Sequence, residues 1–141
     1  MSTGGQLSTI LESFSQRREF VRIPVEIPVR YKFLSREIDL GNESILEGTC
    51  SSLGGGGLIL CGRIPSFNWI PALLMGKIQL GVNLLLPSVD VAVKGLCHVA
   101  WIDEIPENKD RCVVGLKFLE ISKEEQDRIL KYLIKSQMRK S

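Results

Sequence analysis

The chain has 141 residues, a formal net charge of +2, four cysteines and a single histidine. That length suits one domain, which can bury roughly two-thirds of its unfolded surface without covalent staples. The small net charge argues against a general polyanion binder, DNA and RNA included, so any basic site must be local. No apolar run is long enough to insert in a membrane, and no basic start followed by a long apolar core marks a signal peptide. Cys50, Cys61, Cys97 and Cys112 form no CxxC pair. With one histidine, His98, zinc is not expected; buried free thiols in a cytoplasmic protein are.

Residues 1–15 read as an N-terminal arm. Leu7, Ile10, Leu11 and Phe14 have the spacing of a short helix, and the arm can equally be one that orders only when packed on the body. Residues 16–141 read as a single domain. Arg17, Arg18 and Arg22 fall within six residues and lead into an alternating segment, 22–33. Ile23, Val25, Ile27, Val29, Tyr31 and Phe33 share one face, which predicts a strand with one side buried. Pro24 and Pro28 on the other face cannot donate to a ladder, so this strand should be an edge or irregular on one side.

A second strand is expected over 44–50, after a turn signal at Gly41-Asn42. Four consecutive glycines, 54–57, follow Ser51-Ser52-Leu53. Such a run marks a turn of unusual backbone angles, or a place where another group comes very close. A short third strand, 58–61, precedes an apolar connection over 62–76, which either packs on the body or faces a partner. Strands are expected at 77–86, 89–101 and 111–119. In the fifth, Val93, Cys97, Val99 and Trp101 share one parity, with His98 opposite as a strand histidine rather than a ligand. Ser122-Lys123-Glu124-Glu125 has the form of a capping box. Ile129, Leu130, Leu133, Ile134 and Met138 then mark one face of a C-terminal helix expected to dock on the open side of the sheet. Six strands joined mostly by turns, then one helix, suggest an antiparallel barrel or a strongly bent sheet.

The chemistry in this pattern is poor in catalytic groups. No histidine–carboxylate motif is present, and GGGG without a following lysine and serine or threonine is not a phosphate loop. The arginines carry more information. A guanidinium is a planar, permanently charged fork that pairs with phosphate and with the O6 and N7 edge of guanine, and stacks on flat rings. Three of them at the entry to a strand could converge on one anionic ligand bearing flat bases, or form a solvated basic turn.

Arg18-x-x-x-Arg22 before a strand, followed by Ser52-x-x-Gly55 inside a glycine-rich segment, resembles the PilZ domain, a bacterial receptor for cyclic di-GMP marked by RxxxR and then [D/N]xSxxG. The resemblance runs over about residues 16–135, including Val114-Gly115-Leu116-Lys117-Phe118-Leu119 as the last strand. It implies a mainly all-β fold, a six-stranded antiparallel β-barrel with a C-terminal α-helix, without catalysis and without a cofactor. It further implies that Arg18 and Arg22, with Arg17, grip the phosphates and guanines of cyclic di-GMP, that Ser52 lies near the ligand and that Gly55 permits the turn. Cys50 stands where the family has aspartate or asparagine. A thiol is a poor acceptor for a guanine edge, and unpaired donors cost roughly 1–3 kcal/mol.

Two functions follow from the resemblance. One is a signal-transduction receptor in which cyclic di-GMP orders residues 16–22 against the barrel and alters a surface for an effector protein. The other is a PilZ-like adaptor that has lost the nucleotide and works through protein contacts, using the 65–75 loop and the C-terminal helix. A monomer and a homodimer fit either one.

Overall fold

The structure, a computed structural model, describes residues 23–41, 44–87, 91–104 and 111–140, the last two without their side chains. Arg17, Arg18, Arg22 and the whole N-terminal arm lie outside the described residues. The strands are β1 (Ile23–Leu34), β2 (Leu46–Leu53), β3 (Gly57–Arg63), β4 (Gln79–Leu84), β5 (Val93–Glu104) and β6 (Arg111–Glu120). Two helices join them: α1 (Ile70–Leu74), entered through a 3-10 turn at Phe67–Trp69, and α2 (Lys123–Lys140).

The strands close into a barrel in the order β1-β2-β3-β6-β5-β4, every neighbouring pair antiparallel. Period-two alternation explains the closure. Ile27, Val29, Tyr31 and Phe33 of β1 and Leu80, Val82 and Leu84 of β4 all point inward and are buried. Each fully buried side chain of this size contributes roughly 1.5–3 kcal/mol of transfer free energy. Closing the sheet also removes the exposed edges on which another chain could pair. β1 is therefore no edge strand. Its prolines are accommodated by the irregularity instead: the β4 ladder starts only at Val29, and the β2 ladder shifts register between Pro24 and Ile27.

Each end of the barrel is stoppered by a different device. At one end, the apolar connection after β3 folds inward as α1, so the 62–76 segment packs on the body. Pro71 stands in its first turn, where a missing N–H costs nothing. Leu73, Ile64 and Ile78 are buried, and the Trp69 ring meets Phe33 edge-on at 5.3 Å. The Tyr31 hydroxyl donates to the Arg63 carbonyl and accepts from the Arg63 N–H, both at 2.7 Å.

At the other end lie the start of β1, the end of β2 and the glycine turn, and α2 crosses them. The Ser122 hydroxyl accepts from the Glu125 N–H at 3.1 Å, the first half of the expected capping box. The second half is diverted: Glu125 accepts from the backbone N–H of Lys94 in β5. One turn position on, the Gln126 side-chain amide donates to the Gly55 carbonyl at 3.1 Å. With both sides of the rim tied, Ile129 drops into the core, fully buried, and Leu133 follows it. Because the barrel is closed, the helix covers an end of it rather than an open side of a sheet.

Candidate functional site

The glycine run is a tighter turn than the sequence suggests. Ser51, Ser52 and Leu53 belong to β2 and Gly57 to β3, leaving residues 54–56 to turn the chain. The Gly54 N–H closes that turn on the Gly57 carbonyl at 2.9 Å. Of the two explanations for the glycines, close approach applies at Gly57. A Cβ there would stand 2.1 Å from the Leu116 carbonyl oxygen of β6. On the same strand, Phe118 donates its N–H to the Gly56 carbonyl at 3.0 Å. The turn is thus clamped between β6 and α2, and Gly55 is buried under the latter.

Cys50 and Ser52 are two residues apart, yet they face opposite sides. The β2–β3 register is Cys50↔Leu60 and then Ser52↔Ile59, so Ser51 is an extra residue on β2. This is a β-bulge, which re-aims the side chains after it. Cys50 points into the core with 0% exposure, while Ser51 and Ser52 both fall on the outer wall. The Cys50 thiol donates back to the Ser52 carbonyl at 3.2 Å, and burial pushes its pKa up to about 12. Cys50 is therefore a neutral core thiol that ties down the bulge. In this conformation it offers no acceptor at the surface.

A second bulge acts on β5. Val99 pairs with Leu116 and Trp101 with Gly115, which makes Ala100 the extra residue and reverses the parity after it. Trp101 consequently leaves the core face on which its spacing from Val99 would put it. It is 38% exposed on the outer wall. Gly115 makes room for it: a Cβ at that position would lie 2.1 Å from the indole Nε1. The indole thus lies across β6, toward β3.

The registers line these features up. Pro24, Ser52, Ile59, Gly115 and Trp101 follow one another across β1, β2, β3, β6 and β5. A parallel row holds Pro28, Thr49, Cys61, Val113 and Asp103. Cys61 donates its S–H weakly to the Ser51 hydroxyl at 3.8 Å. Between its flanks the shelf is neutral, with small, hydroxyl and apolar groups in the middle and one aromatic ring at the far side. Its charges stand at the margins: Glu26 on β1 and Asp103 on β5, both exposed, and Lys117 in the next row. The open grooves along β4 and β5, lined by Gly81, Asn83, Lys94 and Glu125, are on the opposite wall.

Ser52 and Gly55 are therefore brought together at one corner of this shelf, and Cys50 is withdrawn beneath it. Ile23, the first described residue, pairs with Leu53 at that same corner, while Arg17, Arg18 and Arg22 lie outside the described residues. Sequence reading missed Trp101 and Gly115. Their only signal is a glycine on a buried strand and an aromatic whose parity holds up to a bulge. His98 lies on the outer face across from Lys117, and its buried Nδ1 has no hydrogen-bond partner among the described residues. Among those residues no group of acidic, cysteine and histidine side chains could hold a metal ion, and no helix is long and apolar enough to cross a membrane.

Solved structures share this architecture. An inhibitor of motility from Bacillus subtilis (MotI/DgrA) superposes with a TM-score of 0.60 at 21% identity, over 89% of this chain and 53% of that one. PlzA from Borreliella burgdorferi, solved in complex with c-di-GMP, gives 0.57 at 13% identity over 96% and 59%. The PilZ domain of YcgR from Escherichia coli, solved with c-di-GMP, gives 0.55 at 14% identity over 89% and 94%. The chain thus spans little more than half the length of the first two. No curated protein sequence matches it. The family model for the PilZ domain matches residues 16–135. With a match over that much of its length, and with the closed six-stranded barrel and terminal helix in place, the chain belongs to the PilZ domain family.

Proposed function

We propose that this protein is a non-catalytic receptor for cyclic di-GMP that signals to a protein partner. One observation carries the reading. Ile23 pairs with Leu53 and Pro24 with Ser52, so β1 begins beside Ser52 and the glycine turn at the edge of a neutral shelf, and the RxxxR motif directly precedes that strand in the sequence. The division of labour is then physical. Arg17, Arg18 and Arg22 supply charge-assisted, bidentate contacts to the phosphates, each worth roughly 1.5–3 kcal/mol. Ser52 supplies a hydroxyl close to the backbone of the turn. Ile59, Val113 and the indole of Trp101 supply a flat apolar floor for a base, with stacking worth roughly 1–3 kcal/mol. Gly55, held by Gln126, connects the site to α2 and gives ligand binding a route to a partner-facing helix.

Calorimetric titration with cyclic di-GMP tests this, with Arg18→Ala/Arg22→Ala alongside. Micromolar or tighter binding that disappears in the double variant is expected. Equal affinity in both proteins, or no heat from the wild type, overturns it. The adaptor reading has one observation of its own: Phe67, Leu74 and Met75 stand exposed beside α1, as do Ile134 and Met138 on α2. A partner captured equally well with and without nucleotide would favour that second reading.

A further inference from the structure

A guanine ring displays N1–H and N2–H donors side by side, and a carboxylate accepts from both at once with charge-assisted strength. Cys50 cannot serve that edge: it is fully buried and its thiol is a donor to Ser52. The structure offers another acceptor close by. Between Pro24↔Ser52 and Ile27↔Cys50, β1 holds two residues, Val25 and Glu26, where β2 holds only Ser51. Two bulges therefore face each other across one ladder, because Ser51 is itself the extra residue toward β3. Val25 turns toward the core and Glu26 stays exposed on the outer wall. Glu26 therefore stands on the outer wall in the stretch of β1 that faces Ser51, between the Pro24↔Ser52 and Ile27↔Cys50 pairs. Among the described residues its side chain has neither a hydrogen bond nor an ion pair, whereas Glu47 on the neighbouring strand is held by Arg30 at 3.6 Å.

Resting on the receptor reading above, we infer that Glu26 is the guanine-edge acceptor of this site and sets its preference for guanine over adenine. Adenine presents a ring-nitrogen acceptor at the equivalent position, which a carboxylate repels. The bulge at Ser51 turns the position-50 side chain inward, while the unbroken alternation of β1 keeps Glu26 outward at the same level.

The sign of one substitution separates this role from mere proximity. A carboxylate that only sits near an anionic ligand repels it, so removing it tightens all nucleotides alike. A carboxylate that accepts from guanine has the opposite effect on the guanine ligand alone. The experiment titrates the full chain and its Glu26→Ala and Glu26→Gln variants with cyclic di-GMP and with cyclic di-AMP. Expected is a roughly ten- to 100-fold loss for cyclic di-GMP in Glu26→Ala, with cyclic di-AMP unchanged or tighter. Glu26→Gln, which keeps one acceptor oxygen, should fall between. Because Glu26 is exposed, the variants should melt with the wild type. An unchanged ratio of the two affinities, or equal tightening of both, overturns the assignment while leaving the receptor intact. A changed ratio in Asp103→Ala with none in Glu26→Ala moves the acceptor to the other margin and also overturns it. No binding by the wild type removes the receptor reading itself.

Discussion

The two walls of the barrel are built differently. The β4 wall is regular: its ladders to β1 and β5 run without a register break, and its residues alternate in and out along the whole strand. The wall of β2, β3, β6 and β5 is broken by bulges at Ser51 and Ala100 and faced by a third at the start of β1, and the β5–β6 ladder shifts once more at Leu119, away from the shelf. Both walls enclose the same core, so the bulges add nothing to burial. What they change is the outer face, where they gather Ser51, Ser52, Glu26 and Trp101 around a glycine-floored shelf. Three of the four register shifts among the described residues thus border the shelf, and none falls in the ladders of β4.

Substitutions on the two walls should therefore fail in different ways. On the regular wall, Leu84→Ala removes a fully buried side chain and should cost about 2–5 kcal/mol in chemical denaturation. Nucleotide selectivity in the remaining folded protein should not move. A cost under about 1 kcal/mol would show that the β4 wall is not the structural one.

On the bulged wall, Cys50→Asp tests the buried thiol. An unpaired carboxylate at a position with 0% exposure should destabilise by roughly 2 kcal/mol or more at neutral pH. An unaltered melting temperature would mean that position 50 can swing outward and face the ligand. Gly115→Ala is the sharper probe of the shelf. The new methyl displaces the indole, so Trp101 fluorescence should shift and nucleotide affinity should drop by about tenfold. Unchanged affinity with a displaced indole would take Trp101 out of the site.

The smallest effect is on pH dependence. Burial raises the Cys50 pKa from 9.0 to about 12, and Cys97 and Cys112 are raised for the same reason. The unfolded chain then loses thiol protons first. Stability is intact below about pH 9 and should decline as pH rises from there toward 12. In the Cys50→Ala variant that decline should be shallower, as read from melting temperature against pH.

Particular residues show what could be read in advance. Ile27, Val29, Tyr31 and Phe33, and the β4 set Leu80, Val82 and Leu84, alternate without interruption, and each one is buried. Ser122 caps α2 and Ile129 buries as the helical spacing requires. The motif residues Ser52 and Gly55 were legible as a pair, but not the burial of Cys50. Trp101 was misassigned because a one-residue bulge reverses every side chain beyond it, and a bulge leaves no mark in hydrophobic periodicity. The 62–76 segment gave apolar content without period, and its short helix became visible only against the barrel end it fills.

By itself, then, the sequence determined the strands, the inward faces of the regular ones, the terminal helix and the family, because each of these follows from local periodicity and short motifs. Tertiary structure decided the rest. Whether Cys50 faces inward, whether Trp101 lies in the core or on a shelf, and whether Gly57 can admit another strand depend on cross-strand register. Register is fixed by partners distant along the chain, and a shift of one residue inverts the face of everything that follows.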